Sequence, residues 1–202
     1  MANYKVTIHV NETWIAQFNK ADIKLCFATA VKSSGKPIYN VVAFSDFVSN
    51  HVTMEWQDTY SIAATRIKFA DQAKITVSTE RQQIEFGQSC TIDDSWTKPL
   101  VKPDPQAPKK GFLFRNETIA SCVIYKEVMG KPAPVYISAT GPLPPGDEFL
   151  VPVAQCKVWF SAVHETSSMI SAFAGKAKEI DLTNKAETEV WYNEFGQWSN
   201  AA

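Results

Sequence analysis

His51-Val52-Thr53-Met54-Glu55-Trp56 decides the fold. Val52, Met54 and Trp56 are apolar, whereas His51, Thr53 and Glu55 are polar. Successive side chains of a strand point to opposite faces, so strict alternation marks a strand with one buried side. The same period recurs on either side of this stretch. Tyr4, Val6, Ile8 and Val10 alternate with Lys5, Thr7 and His9. Ile75 and Val77 alternate with Lys74 and Thr76, and Cys156, Val158 and Phe160 with Gln155, Lys157 and Trp159. Thr, Val, Ile and aromatic residues fill these runs, as a pleated, half-buried surface favours. The best helix candidate is residues 167–178, and Gly175 weakens it. The chain therefore reads as all-β.

Composition narrows the classes. The 202 residues are 45% hydrophobic and 20% charged, which excludes a disordered or collagen-like chain. A net charge of −1 argues against a general nucleic-acid binder. No stretch is long and apolar enough for a membrane helix, and the N-terminus lacks the pattern of a secretory leader. A cytoplasmic location is the expectation. Cys26, Cys90, Cys122 and Cys156 form no CxxC and have no metal-finger spacing. Three of them lie in apolar runs as buried thiols, and Cys90, in a polar setting, is the one expected near the surface. Asn11-Glu12-Thr13 and Asn116-Glu117-Thr118 are glycosylation sequons that matter only in a secreted chain.

Residues 98–111 hold four prolines and four lysines. Proline lacks a backbone donor, so this stretch cannot be a central strand and reads as a solvated linker. The sequences on its two sides resemble each other. Gly35-Lys36-Pro37 matches Gly130-Lys131-Pro132, Cys26 matches Cys122, and Trp56 matches Trp159. Phe69-Ala70 with Ala73-Lys74 matches Phe173-Ala174 with Ala177-Lys178, and Glu85-Phe86-Gly87-Gln88 matches Glu194-Phe195-Gly196-Gln197. The spacing grows from 95, Gly35 to Gly130, to 109, Glu85 to Glu194. The order of the matches suggests a tandem duplication of two antiparallel β-sandwich-like halves packed together, residues 1–97 and 112–202. The glycines of the GKP and EFGQ elements are expected in turns, with positive φ.

Chemical motifs are few. No phosphate loop and no GxSxG elbow occurs. His9, His51 and His164 have no metal spacing, and Ser168 stands where a zincin helix would place its second histidine. No catalytic residue, metal or identified cofactor is assigned. The aromatics remain: six Trp, twelve Phe and six Tyr against eight Gly. Alternation turns Trp159 away from the apolar set, and the consecutive Trp191 and Tyr192 must point to opposite faces. The candidate ligand-binding set is Trp159, Trp191, Tyr192 and Trp198, with His51 and His164 as polar handles.

Over its whole length, and chiefly in VTMEWQDTYSIAATRIKF (residues 52–69) and IEFGQ (84–88), the chain resembles the soluble β-proteins of mushroom fruiting bodies, chromoproteins among them. The resemblance implies a small coloured organic ligand and carries over no individual residue. The expected function is non-enzymatic binding of a small molecule or pigment in an aromatic-lined cleft. The alternative is a glycan-binding lectin or a membrane-active, pore-forming defence protein. A homodimer is compatible with either.

Overall fold

The computed structural model describes residues 2–173 and 175–200. Its elements are β1 (Asn3–Val10), α1 (Glu12–Lys20), β2 (Lys24–Ser33), β3 (Lys36–Ile38), β4 (Phe44–Phe47), β5 (His51–Thr65), β6 (Gln82–Ile84), β7 (Gln88–Ile92) and β8 (Leu100–Pro103). After residue 103 come β9 (Phe112–Asn116), β10 (Ser121–Val128), β11 (Lys131–Ile137), β12 (Gly146–Ser161), β13 (Lys178–Asp181), β14 (Glu187–Tyr192) and β15 (Trp198–Ser199). Strands dominate, as the alternation requires. Among the described residues no helix is long and apolar enough to cross a membrane.

Two sheets face each other across one hydrophobic core. The first runs β11-β10-β5-β1-β14-β15, and the second runs β3-β2-β12-β9-β7-β8. The alternating apolar residues supply the filling: Val6, Ile8, Met54 and Trp56 from one sheet meet Phe27, Phe112, Leu150 and Val158 from the other. The sheets are mixed rather than purely antiparallel, because β1 pairs with β14 and β7 with β9 in parallel.

The pairing diagram repeats itself across the linker. The long strand β5 pairs with β1 and then β6 on one side and with β10 on the other. The long strand β12 pairs likewise with β9 and then β13, and with β2. β1 lies beside β14 as β9 lies beside β7, and the hairpins β2–β3 and β10–β11 occupy matching places. Each long strand thus takes its hairpin neighbour from the other side of the linker. The halves interleave within both sheets instead of lying side by side.

This diagram corrects several sequence matches. Trp56 lies opposite Val128, next to the turn Met129-Gly130, and Leu150 lies opposite Ser33, next to the turn Ser34-Gly35. The counterpart of Trp56 is therefore Leu150. Trp159 lies opposite Cys26, as Ala64 lies opposite Cys122. The two EFGQ elements also differ in place: residues 85–88 lead into β7, whereas 194–197 join β14 to β15. Both do carry a glycine with positive φ, 80° at Gly87 and 69° at Gly196. Phe69 packs on the cluster outside the first sheet and Phe173 on that outside the second, while Ala174 lies outside the described residues. The GKP elements hold fully. Ser34, Gly35, Met129 and Gly130 all have positive φ, the geometry of a two-residue turn whose twist matches the strands.

Three further expectations are corrected. The helix is α1, not residues 167–178. Its N-cap is Asn11, whose side chain accepts the Thr13 N–H, and Lys20 sits in its last turn. Asn11 thus serves as a cap where the sequence showed a sequon. Asn116, in the other sequon, is buried and donates to the carbonyls of Thr118, Leu143 and Pro144. Cys90 is buried like the other three thiols, because its strand, β7, lies inside the second sheet. The linker contains an edge strand, β8, compatible with its prolines.

Candidate functional site

The six candidate residues fall in three places. Trp159 and His164 form a closed pair. Trp159 does point away from the inter-sheet core, as alternation predicts, but the outer face of the second sheet is covered. Phe173, Ile170 and Tyr39 pack over it, and Trp159 is fully buried. Its Nε1–H donates to His164 Nδ1 at 2.9 Å, and the His164 backbone N–H is held by Ser161 Oγ. Burial holds the imidazole pKa below its ordinary value, against a weaker upward pull from Asp71. Neither residue is open to a ligand, which removes both from the candidate site.

Trp198 and Tyr192 belong to an aromatic cluster between α1 and the second sheet. Trp198 stacks on Phe160 with ring centroids 5.3 Å apart, and Tyr192 lies edge-on to Phe160 at 4.8 Å. Phe18 and Trp14 of α1 complete the cluster. The Trp198 N–H donates to the Lys176 carbonyl. A shallow hollow of about 400 Å³, lined by Phe18, Phe160 and Tyr192, opens beside it. Aromatic pairs of this kind contribute about 0.5–1.5 kcal/mol each beyond simple burial.

Trp191 and His51 meet on the opposite face of the first sheet. His9 pairs across the sheet with His51 on β5 and with Trp191 on β14, so the three side chains form one row. The His9 ring stacks on Trp191 at 4.7 Å with an interplanar angle of 6°, and His51 meets His9 edge-on at 4.7 Å. His9 Nε2 lies 2.7 Å from Glu189 Oε2, which fixes the ring. Trp191 and Tyr192 point to opposite faces, as their adjacency requires.

This row is one wall of a cleft of about 650 Å³. The start of α1 supplies Asn11 and Glu12, the start of β5 supplies Asn50 and His51, and the β14–β15 turn supplies Asn193, Glu194 and Phe195. The turn is built by Asn193, whose Oδ1 accepts the backbone N–H groups of Phe195 and Gln197. It is tied to α1 by the Trp14 indole, which donates to the Asn193 carbonyl at 2.9 Å. The Asn11 N–H donates to the Tyr192 carbonyl, closing the same corner. Phe195 presents its ring to solvent, 76% exposed. The cleft lies where β1 meets β14, so residues from both sides of the linker form it.

Two of the six candidates, His51 and Trp191, therefore line this cleft together, and Tyr192 borders it while its ring belongs to the aromatic cluster on the other face. His9, Asn50 and Phe195 were not expected there. The signal for His9 and His51 was present: both occupy the polar positions of their strands, and pairing those strands in antiparallel register sets them side by side. Among the described residues no group of three or more His, Cys, Asp or Glu is placed to hold a metal ion. No family model, no curated protein and no solved structure matches the chain.

Proposed function

We propose that the protein is a non-enzymatic binder of a small organic molecule, seated in the cleft between α1 and the β14–β15 turn. The observation that carries this reading is the half-buried Trp191, held flat by His9 on one side of an open cleft whose other walls set the polar Asn11, Glu12, Asn50 and Glu194 beside the exposed ring of Phe195. A ring fixed before the ligand arrives loses little freedom on binding, which favours affinity. Ligand sites lie preferentially in concave junctions between structural units, and this cleft joins the two interleaved halves. The resemblance to fruiting-body chromoproteins adds the expectation of a coloured ligand. Protein purified from its natural source is expected to show a visible absorption band or an intact mass above that of the chain. A Trp191→Ala variant made in the same host should lose it. Colourless protein at the mass of the bare chain would remove the pigment.

A glycan is the second reading. Asn50 and Glu194 beside the Trp191 ring favour it, because they suit the hydroxyl groups of a sugar stacked on an aromatic face. Haemagglutination inhibited by simple saccharides would select it over the first.

A further inference from the structure

The walls of the cleft carry an uneven balance of charge and hydrogen-bonding groups. Glu12 and Glu194 line it, and Glu189 stands beside it on His9; among the described residues no Lys or Arg contributes to the lining, whose basic groups are the imidazoles of His9 and His51. Two of the amide oxygens are already engaged: Asn11 Oδ1 accepts from Thr13, and Asn193 Oδ1 accepts from Phe195 and Gln197. Asn50 donates to Glu12 Oε1 at 3.4 Å, leaving the remaining carboxylate oxygens as acceptors. An anionic ligand would face these carboxylates with His51 as the one lining imidazole not already held on a carboxylate. The aromatic groups point the same way, since the face of a Trp, Tyr or Phe ring is electron-rich and attracts cations. Glu12 also sits in the first turn of α1, where it balances the positive end of the helix.

We infer that the cleft selects an organic cation with an apolar or aromatic body, its charged group directed to Glu12 and Glu194 and its body against Trp191 and Phe195. This inference rests on the binding reading of the same cleft and goes on to name the ligand class. Cation and ring geometry set the selectivity, and salt weakens the interaction because the carboxylates are exposed.

The test uses the full chain labelled with ¹⁵N, reading the indole N–H signal of Trp191, assigned by its loss in Trp191→Phe. Four probes are compared: benzyltrimethylammonium, benzyl alcohol, phenylacetate and a methyl glucoside. Benzyltrimethylammonium is expected to shift the Trp191 signal with an affinity about tenfold above that of benzyl alcohol, with phenylacetate weakest. Glu12→Gln and Glu194→Gln should each weaken the cation about threefold or more, leaving benzyl alcohol unchanged. Both side chains are exposed, so these variants keep the fold. If phenylacetate, the alcohol or the glucoside binds as well as the cation, the charge assignment is overturned while the cleft remains a binding site. If no probe moves Trp191, the binding reading falls with it.

Discussion

His164 accepts the Trp159 indole N–H on Nδ1, so its own proton sits on Nε2 and the ring is neutral in the folded protein. Only 3% of the residue is exposed. Withdrawal from water lowers the pKa of this imidazole below the ordinary 6.5. The unfolded chain therefore takes up a proton at a higher pH than the folded one. The sign follows directly: stability is complete above the ordinary histidine value and is lost as pH falls through the depressed folded value. Thermal unfolding measured from about pH 7 down to pH 5 should show this loss, and His164→Gln should flatten it. If the two proteins lose stability in parallel, burial of His164 is not its source. At this scale the sequence showed direction but not cover. Alternation told correctly that Trp159 turns away from the core. It could not tell that the segment after β12 folds back over it, because that cover is set by the packing of Ile170 and Phe173 with Tyr39, which alternation within a strand does not encode.

The hairpins are the elements most legible in the sequence. A glycine-containing pair before Lys-Pro occurs twice, and both pairs adopt positive φ at each position. A Cβ added at Gly130 would meet nothing within 4 Å, so any penalty there is conformational rather than steric. Gly130→Val should destabilise the protein by roughly 1–2 kcal/mol, the cost of the left-handed region for a substituted residue. Ser34→Asn should stabilise by about 0.5 kcal/mol, since Asn is favoured at the first position of such turns. Urea midpoints at unchanged slope read both effects, and equal midpoints for Gly130→Val and the parent would show that the turn does not constrain the fold. The helix was less legible. Trp14, Ile15 and Phe18 give it only a narrow apolar stripe, and none of its residues is buried. Its boundaries come from capping by Asn11 and from packing against Tyr192, and a search for long amphipathic runs passes over both. The cleft depends on this helix, so the wall that Asn11 and Glu12 supply stayed hidden with it.

At the scale of the molecule, the decisive property is that the central pairings cross the linker. β5 pairs with β10, β12 with β2, β1 with β14 and β7 with β9, and each joins a strand before residue 98 to one after residue 111. The residues before the linker contain β2, but the strand that should separate it from β7 and β9 in the second sheet is β12, which lies after the linker. Residues before the linker likewise leave β5 with an unpaired side, because β10 is absent. An open strand edge with an uncovered apolar face is unstable and prone to association. Neither half can therefore bury the common core alone, although each has the length of a small domain. Cutting the chain at the exposed Lys109 gives fragments 1–109 and 110–202. Each alone should lack a cooperative unfolding transition and a dispersed amide spectrum, and an equimolar mixture should regain both. Recovery would also restore the Trp191 environment, since His9 comes from one fragment and Trp191 from the other. A fragment that unfolds cooperatively by itself would show that the halves are independent units and that their interleaving is dispensable. The GKP turns mark a like hairpin on each side of the linker, but the sequence does not tell how the two sides share strands. That sharing places β1 against β14, and so creates the cleft.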